Sequence, residues 1–231
     1  MALFGKKLPG GEMSSRILDF IWIADCSGSM DGEKIQTLNY AIRQTIPDMQ
    51  KEADNNPNAS LMIRALKFSD GAQWHIPQAT PIDQFSWTDL TAGGTTSMGM
   101  ALQMVATELR SFPSDTKRLP PVLVLLTDGQ PTDEFKKGLD ELMGTPWGKK
   151  SVRIAIAIGK DADIDVLEQF TGNRELVLEA KNPQLLIQFI KWASTVVKTV
   201  SSPRASDDDD APQGVDLNTV PELSDDDDEI W

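Results

Sequence analysis

Five oxygen-bearing positions, spread over three separate stretches of the chain, have the residue types to hold a hard cation. The first stretch is Asp25-Cys26-Ser27-Gly28-Ser29, where a carboxylate and two hydroxyls stand two residues apart. The second is Gly93-Gly94-Thr95-Thr96 and the third is Thr127-Asp128-Gly129. Carboxylate, hydroxyl and water suit Mg2+, Mn2+ or Ca2+ better than Zn2+ or copper. The candidate metal ligands are Asp25, Ser27, Ser29, one of Thr95 and Thr96, and Asp128. Only two of these are charged, so a divalent ion held by them would be incompletely neutralised. It would retain water and accept a carboxylate from a partner, which is a chemistry of adhesion.

The elements around these stretches determine whether they meet. An apolar strand, Ile17–Asp25, ends at the first stretch, and a continuous apolar run, Val122–Thr127, ends at the third. Such a run bounded by turn residues reads as a buried parallel strand. Further strands are predicted at Leu61–Phe68, at Val152–Ile158 and over the short span Leu176–Leu178, with a short antiparallel edge strand at Ala72–Ile76. Helices are predicted at Glu33–Lys51, with a kink or early end at Pro47, at Ser97–Ser111, Asp133–Met143 and Ile164–Phe170, and at Pro183–Thr199. Alternation of strands with helices predicts an α/β fold: a Rossmann-like, doubly wound, mostly parallel sheet with one short antiparallel edge strand. Loops at the carboxyl ends of such strands are where ligands bind. If the first and fourth strands are neighbours, all three stretches converge.

Each stretch also has a plainer reading. Asp25 and the serines could cap the following helix, Asp128-Gly129 is an ordinary turn signal, and one of Thr95 and Thr96 serves as an N-cap. Cys26 alternates with the candidate ligands and is expected to point away from them and pack. His75, the single histidine, has no partner histidine and reads as structural or surface. Asp133 is expected in the first turn of its own helix, complementing the dipole. It is the three stretches together that favour a metal site.

Charge divides the chain of 231 residues unevenly. Its net charge is −13, and residues 205–231 alone carry −11, with nine Asp, two Glu and no Lys or Arg. The remainder is nearly neutral, and no basic stripe speaks for nucleic acid. The expected organisation is a loose arm over residues 1–14, one domain over residues 15–200 and a disordered acidic tail over residues 201–231. One cysteine excludes a disulfide framework within the chain. With no evident signal peptide or membrane span, a soluble cytoplasmic protein is expected.

The motifs resemble the metal-ion-dependent adhesion site of von Willebrand factor type A domains, over roughly residues 15–200. Asp-x-Ser-Gly-Ser-Met and Leu-Thr-Asp-Gly-Gln-Pro-Thr-Asp are further similar to the bacterial tellurium-resistance TerY-like branch. The resemblance implies a Rossmann-like fold, with Ser27, Ser29 and the threonine coordinating directly and Asp25 and Asp128 often acting through water. Many relatives have a single threonine after Gly-Gly. Here the spacing to Gly99 favours Thr96 and the spacing from Gly94 favours Thr95, so both stay candidates.

The function expected from this is a non-enzymatic adaptor. A divalent cation, Mg2+ first among the candidates, would capture an acidic residue of a partner protein. The resemblance implies bacterial stress or tellurium-resistance signalling alongside a protein kinase or phosphatase, or service as an adaptor for an AAA+ ATPase. A phosphotransfer enzyme using Asp25 as nucleophile is the third reading; Ser27 stands where its second aspartate would be. The acidic tail could act as a solvating segment, an internal ligand for the metal, a docking tip at Ile230-Trp231, or a phosphorylated segment at Thr219 or Ser224.

Overall fold

The computed structural model describes residues 16–56, 59–113, 117–201 and 217–221. The arm at residues 1–14 and most of the acidic tail, including Ser224, Ile230 and Trp231, lie outside the described residues.

Six strands form one sheet in the order β3-β2-β1-β4-β5-β6. They are β1 (Arg16–Asp25), β2 (Ala59–Phe68), β3 (Ala72–Pro81), β4 (Val122–Thr127), β5 (Val152–Ile158) and β6 (Val177–Ala180). All pairings are parallel except β2 with β3. The helices are α1 (Glu33–Asp54), α2 (Met98–Arg110), α3 (Phe135–Met143), α4 (Pro146–Lys150), α5 (Ile164–Thr171) and α6 (Pro183–Ser201). The expected α/β, doubly wound, mostly parallel architecture with an antiparallel edge is the one observed.

Alternation along β1 makes two cores. Leu18, Phe20, Trp22 and Ala24 face α1 and α6, and Ile21 and Ile23 face α2, α3 and α5. β4 and β5 are buried on both faces in the same way, which explains their unbroken apolar sequences. The chain winds outward from β1 to β2 on one side and from β4 to β6 on the other. The reversal therefore falls between β1 and β4, which pair from Phe20 with Val122 to Ala24 with Leu126. That is the topological switch point, where an open sheet leaves a crevice at its carboxyl edge.

Several boundaries differ from expectation. α1 runs through Pro47 to Asp54, because Pro47 lies on the exposed side, where the carbonyl left without its helical N–H partner reaches water. β3 extends to Pro81, past Pro77; prolines are tolerated on an edge strand, and the β2–β3 register shifts twice along the way. α4 was not expected: Thr145 caps it, accepting from the Gly148 amide at 2.8 Å. α3 starts at Phe135, not Asp133.

Asp133 has a different task from the one expected. Its two carboxylate oxygens accept from the amides of Gly99 and Met100, each at 2.8 Å, and so cap the start of α2 from another loop. The backbones beside this contact nearly touch. A Cβ on Gly99 would lie 2.6 Å from the Glu134 carbonyl oxygen, and one on Gly138 would lie 2.2 Å from the Gly99 carbonyl oxygen. Only glycine at both positions lets α3 press the beginning of α2 into place.

Away from the strand ends, Arg64 of β2 and Arg118, which precedes β4, find partners. Arg64 pairs with Glu108 and stacks over Trp74, 3.6 Å from the ring centroid, and Arg118 pairs with buried Asp19. Burial raises the Asp19 carboxyl above its usual range, and the Arg118 hydrogen bond opposes that. His75 contacts the Thr88 carbonyl at 2.7 Å and meets Trp87 edge-on, a structural role.

Part of the segment expected to be disordered is described. Leu217–Thr219 forms one 3-10 turn, the Thr219 hydroxyl accepts from Trp192 Nε1 at 3.0 Å, and Val220 packs on the α1–α6 core. Cys26 is 3% exposed in that same core, as expected, and burial together with the Asp25 charge pushes its thiol up to about 12.

Two measurements check this packing. Asp133→Ala should destabilise the domain by about 2 kcal/mol in urea unfolding, through loss of a charged cap; an unchanged midpoint would count against the cap. Cys26 should resist a thiol reagent at pH 8 in the native protein and react at once after unfolding in guanidinium.

Candidate functional site

β1 and β4 end side by side, so their last side chains meet over the crevice. Asp25 and Asp128 are both 0% exposed. The Asp25 carboxylate is held entirely by the chain: Oδ1 accepts from the Ser27 amide at 2.7 Å and Oδ2 from the Thr127 hydroxyl at 2.5 Å. Burial raises the Asp25 carboxyl above the usual range. The Thr127 and Ser27 hydrogen bonds pull it down, and the Asp128 charge pushes it further up.

After Asp25 the chain turns through a 3-10 helix at Gly28–Met30, pinned by fully buried Met30. This turn swings Ser29 back over the strand ends. Its hydroxyl donates to Asp128 Oδ1 at 2.7 Å and lies 3.1 Å from the Ser27 hydroxyl. Ser27, Ser29 and Asp128, from positions about a hundred residues apart, thus form one contiguous run of oxygens.

The Gly-Gly-Thr-Thr loop is fastened from both sides. The Gly93 amide donates to the Cys26 carbonyl at 2.8 Å, and the Gly28 amide donates to the Gly94 carbonyl at 2.9 Å. Gly94 has φ 87°, and a Cβ there would lie 2.7 Å from the Asp70 carboxylate, so any other residue would be strained and would displace Asp70. Asp70 accepts from the Thr95 amide at 2.8 Å, and the exposed Thr95 hydroxyl turns toward the Ser69 carbonyl at 3.4 Å. Thr96 points the other way and is 6% exposed. Thr132 holds it, accepting from its amide at 3.1 Å and donating to its carbonyl at 2.9 Å through the backbone. A Cβ added at Gly129 would sit 3.7 Å from the Thr96 hydroxyl and 3.8 Å from the Ser29 hydroxyl. Glycine at position 129 therefore leaves a hollow between these two oxygens.

Five of the six sequence-predicted positions thus gather at one place: Asp25, Ser27, Ser29, Thr96 and Asp128. Thr95 instead turns to the neighbouring loop, hydrogen-bonded to Ser69 and Asp70.

Sequence reasoning missed four contributors. Thr127 orders Asp25, Thr132 and Asp133 fix Thr96 and the helix behind it, and Lys34 enters the site itself. Lys34 Nζ donates to Asp128 Oδ2 at 2.7 Å, with its side chain 14% exposed. The second half of Leu-Thr-Asp-Gly-Gln-Pro-Thr-Asp carried the signal for Thr132 and Asp133, because those side chains clamp the threonine loop. Lys34 lacks a comparable signal, being a lone base in the first turn of a helix.

The donor set fits a hard divalent cation. It is all oxygen, its hydroxyls face a hollow, and a positive group already seats itself on the inner carboxylate. Among the described residues no cluster of three or more His, Cys, Asp or Glu forms an alternative metal site. Nor is any described helix long and apolar enough to cross a membrane.

No curated protein matches the chain by sequence. Solved structures do match its fold. A von Willebrand factor type A protein from Catenulispora acidiphila is 18% identical, with TM-score 0.58 over 80% of this chain and 43% of that one. The pilus adhesin SpaC of Lactobacillus rhamnosus GG is 13% identical, with TM-score 0.64 over 80% and 31%. Proximal thread matrix protein 1 of the mussel byssus, with its metal-ion-dependent adhesion motif occupied by zinc, is 17% identical, with TM-score 0.59 over 81% and 47%. The chain spans less than half the length of each of these proteins. The model of the von Willebrand factor type A domain matches residues 19–192, and the chain belongs to that family.

Proposed function

We propose that this protein is a metal-dependent binding adaptor, in which a divalent cation held at the β1–β4 crevice captures an acidic side chain of a partner protein. The observation that carries this reading is the meeting of Ser27, Ser29, Thr96 and Asp128 around one hollow, backed by a fully ordered Asp25. Ser27, Ser29 and Thr96 would hold the ion directly, with Asp25 and Asp128 supplying charge from behind. Thr96 is preferred to Thr95 because Thr95 is turned to Ser69 and Asp70. When bound, the ion supplies a Lewis-acidic position open to a carboxylate oxygen. Oxygen-only donors favour Mg2+, with Mn2+ or Ca2+ next; zinc is known for the mussel protein's site.

Binding is preferred to catalysis for a geometric reason. A nucleophilic Asp25 would need a free carboxylate oxygen, whereas both of its oxygens accept hydrogen bonds from the chain and the group is fully buried. The finer reading, a bacterial tellurium-resistance or stress adaptor working with a protein kinase or phosphatase, is supported by the wording of the two motifs alone. Service to an AAA+ ATPase is the runner-up.

Asp25→Ala should lower Mn2+ affinity by about 10- to 100-fold, since the group that orders the hydroxyls is lost, while far-UV circular dichroism stays native. Capture of an acidic partner by the full chain should fail with this variant and with chelator. Capture that survives both would refute the metal reading. Removing residues 205–231 should strengthen capture if the tail's carboxylates compete for the ion; weakened capture would instead make the tail a docking element.

A further inference from the structure

Lys34 is out of place by the ordinary rules of helices. It is the second residue of α1, where the macrodipole disfavours a cation and favours an anion such as Glu33 beside it. Its ammonium is committed to Asp128, 94 positions away in sequence, at 2.7 Å. The carboxylate it meets is 0% exposed, and the lysine stem is mostly covered. A buried carboxylate left without a counter-charge would be costly, and this ion pair supplies one. Asp128 uses its other oxygen for the Ser29 hydroxyl, so one carboxylate links the lysine to a residue of the oxygen cluster.

We propose that Lys34 is a built-in competitor of the divalent cation. It occupies the inner carboxylate of the site when the ion is absent and withdraws when the ion enters. The proposal rests on the metal-dependent reading above and deepens it. An ammonium on Oδ2 of Asp128 and a divalent ion on the Ser29 side, at Oδ1 of the same buried carboxylate, would repel each other strongly even with the ion held by the hydroxyls. The ammonium carries one charge on a flexible four-carbon stem and can swing out to water. A divalent ion has twice the charge and finds Ser27, Ser29 and Thr96 around it as well. Exchange is therefore favourable, but by less than in a site with no lysine. Two consequences follow. The metal-free protein keeps one of its two buried carboxylates paired with a cation, which helps it stay folded between loading events. Ion affinity is also set weaker than the ligand set alone would give, making occupancy responsive to the free ion concentration. Loading would also release a lysine at the rim of the crevice, beside the position where a partner's carboxylate arrives.

The test is a titration of the full chain with Mn2+, read by paramagnetic broadening of the Ser29 and Gly129 amide resonances, which ignores ion bound on the acidic tail. Lys34→Met, which keeps most of the stem and removes the charge, should reach half-broadening at about tenfold lower Mn2+ than wild type, and Lys34→Gln should follow it. In the wild type, Mg2+ should shift the Lys34 Cε resonance toward that of a solvated lysine, an observation that needs no variant. Equal or weaker binding by Lys34→Met, or a Lys34 resonance indifferent to Mg2+, would overturn the competitor role and leave the metal site standing. No broadening at millimolar Mn2+ in either protein would overturn both.

Discussion

Two buried carboxylates at the ends of adjacent strands are the constraint on which the rest of this structure depends. Asp25 and Asp128 come together because β1 and β4 pair in parallel at the point where the sheet reverses its winding. Neither touches water, and each raises the cost of charge on the other. The chain answers with a hydrogen-bond donor for every oxygen. Thr127 and the Ser27 amide hold Asp25, and Ser29 and Lys34 hold Asp128. What these donors leave is a net negative hollow lined by hydroxyls, which is the electrostatic description of a cation site.

The scaffold serves that hollow at several removes. Continuous apolar strands fix the heights of the two carboxylates. The 3-10 turn seats Ser29, and its position depends on Met30 in the core. The threonine loop is held by Asp70 on one side and Thr132 on the other, with Asp133 fixing the helix that follows. α3 reaches that helix only because glycine stands at positions 99 and 138. Precision in a binding site comes from such supporting contacts as much as from the ligands themselves.

Much of this was legible in the sequence where the signal was local or strongly periodic. β4 and β5 were bounded correctly because a strand buried on both faces is a plain apolar run between turn residues. The oxygen cluster was legible because its members recur at short spacing at strand ends. The length of β3 was not, since two prolines broke the pattern that an edge strand tolerates. The different settings of Thr95 and Thr96 were beyond spacing arguments, because it is Asp70, from another loop, that holds Thr95. A local reading places Asp133 in its own helix, whereas its partners lie 33 and 34 residues earlier. Lys34 illustrates the same limit, being an unremarkable surface base until the fold brings Asp128 to it.

The most direct measurement is anomalous diffraction from crystals of the full chain soaked in Mn2+. The account predicts one strong peak in the crevice, within coordination distance of the Ser27 and Ser29 hydroxyls, with the Thr96 hydroxyl facing it. A map with no peak there, or with its only peak elsewhere, would contradict it.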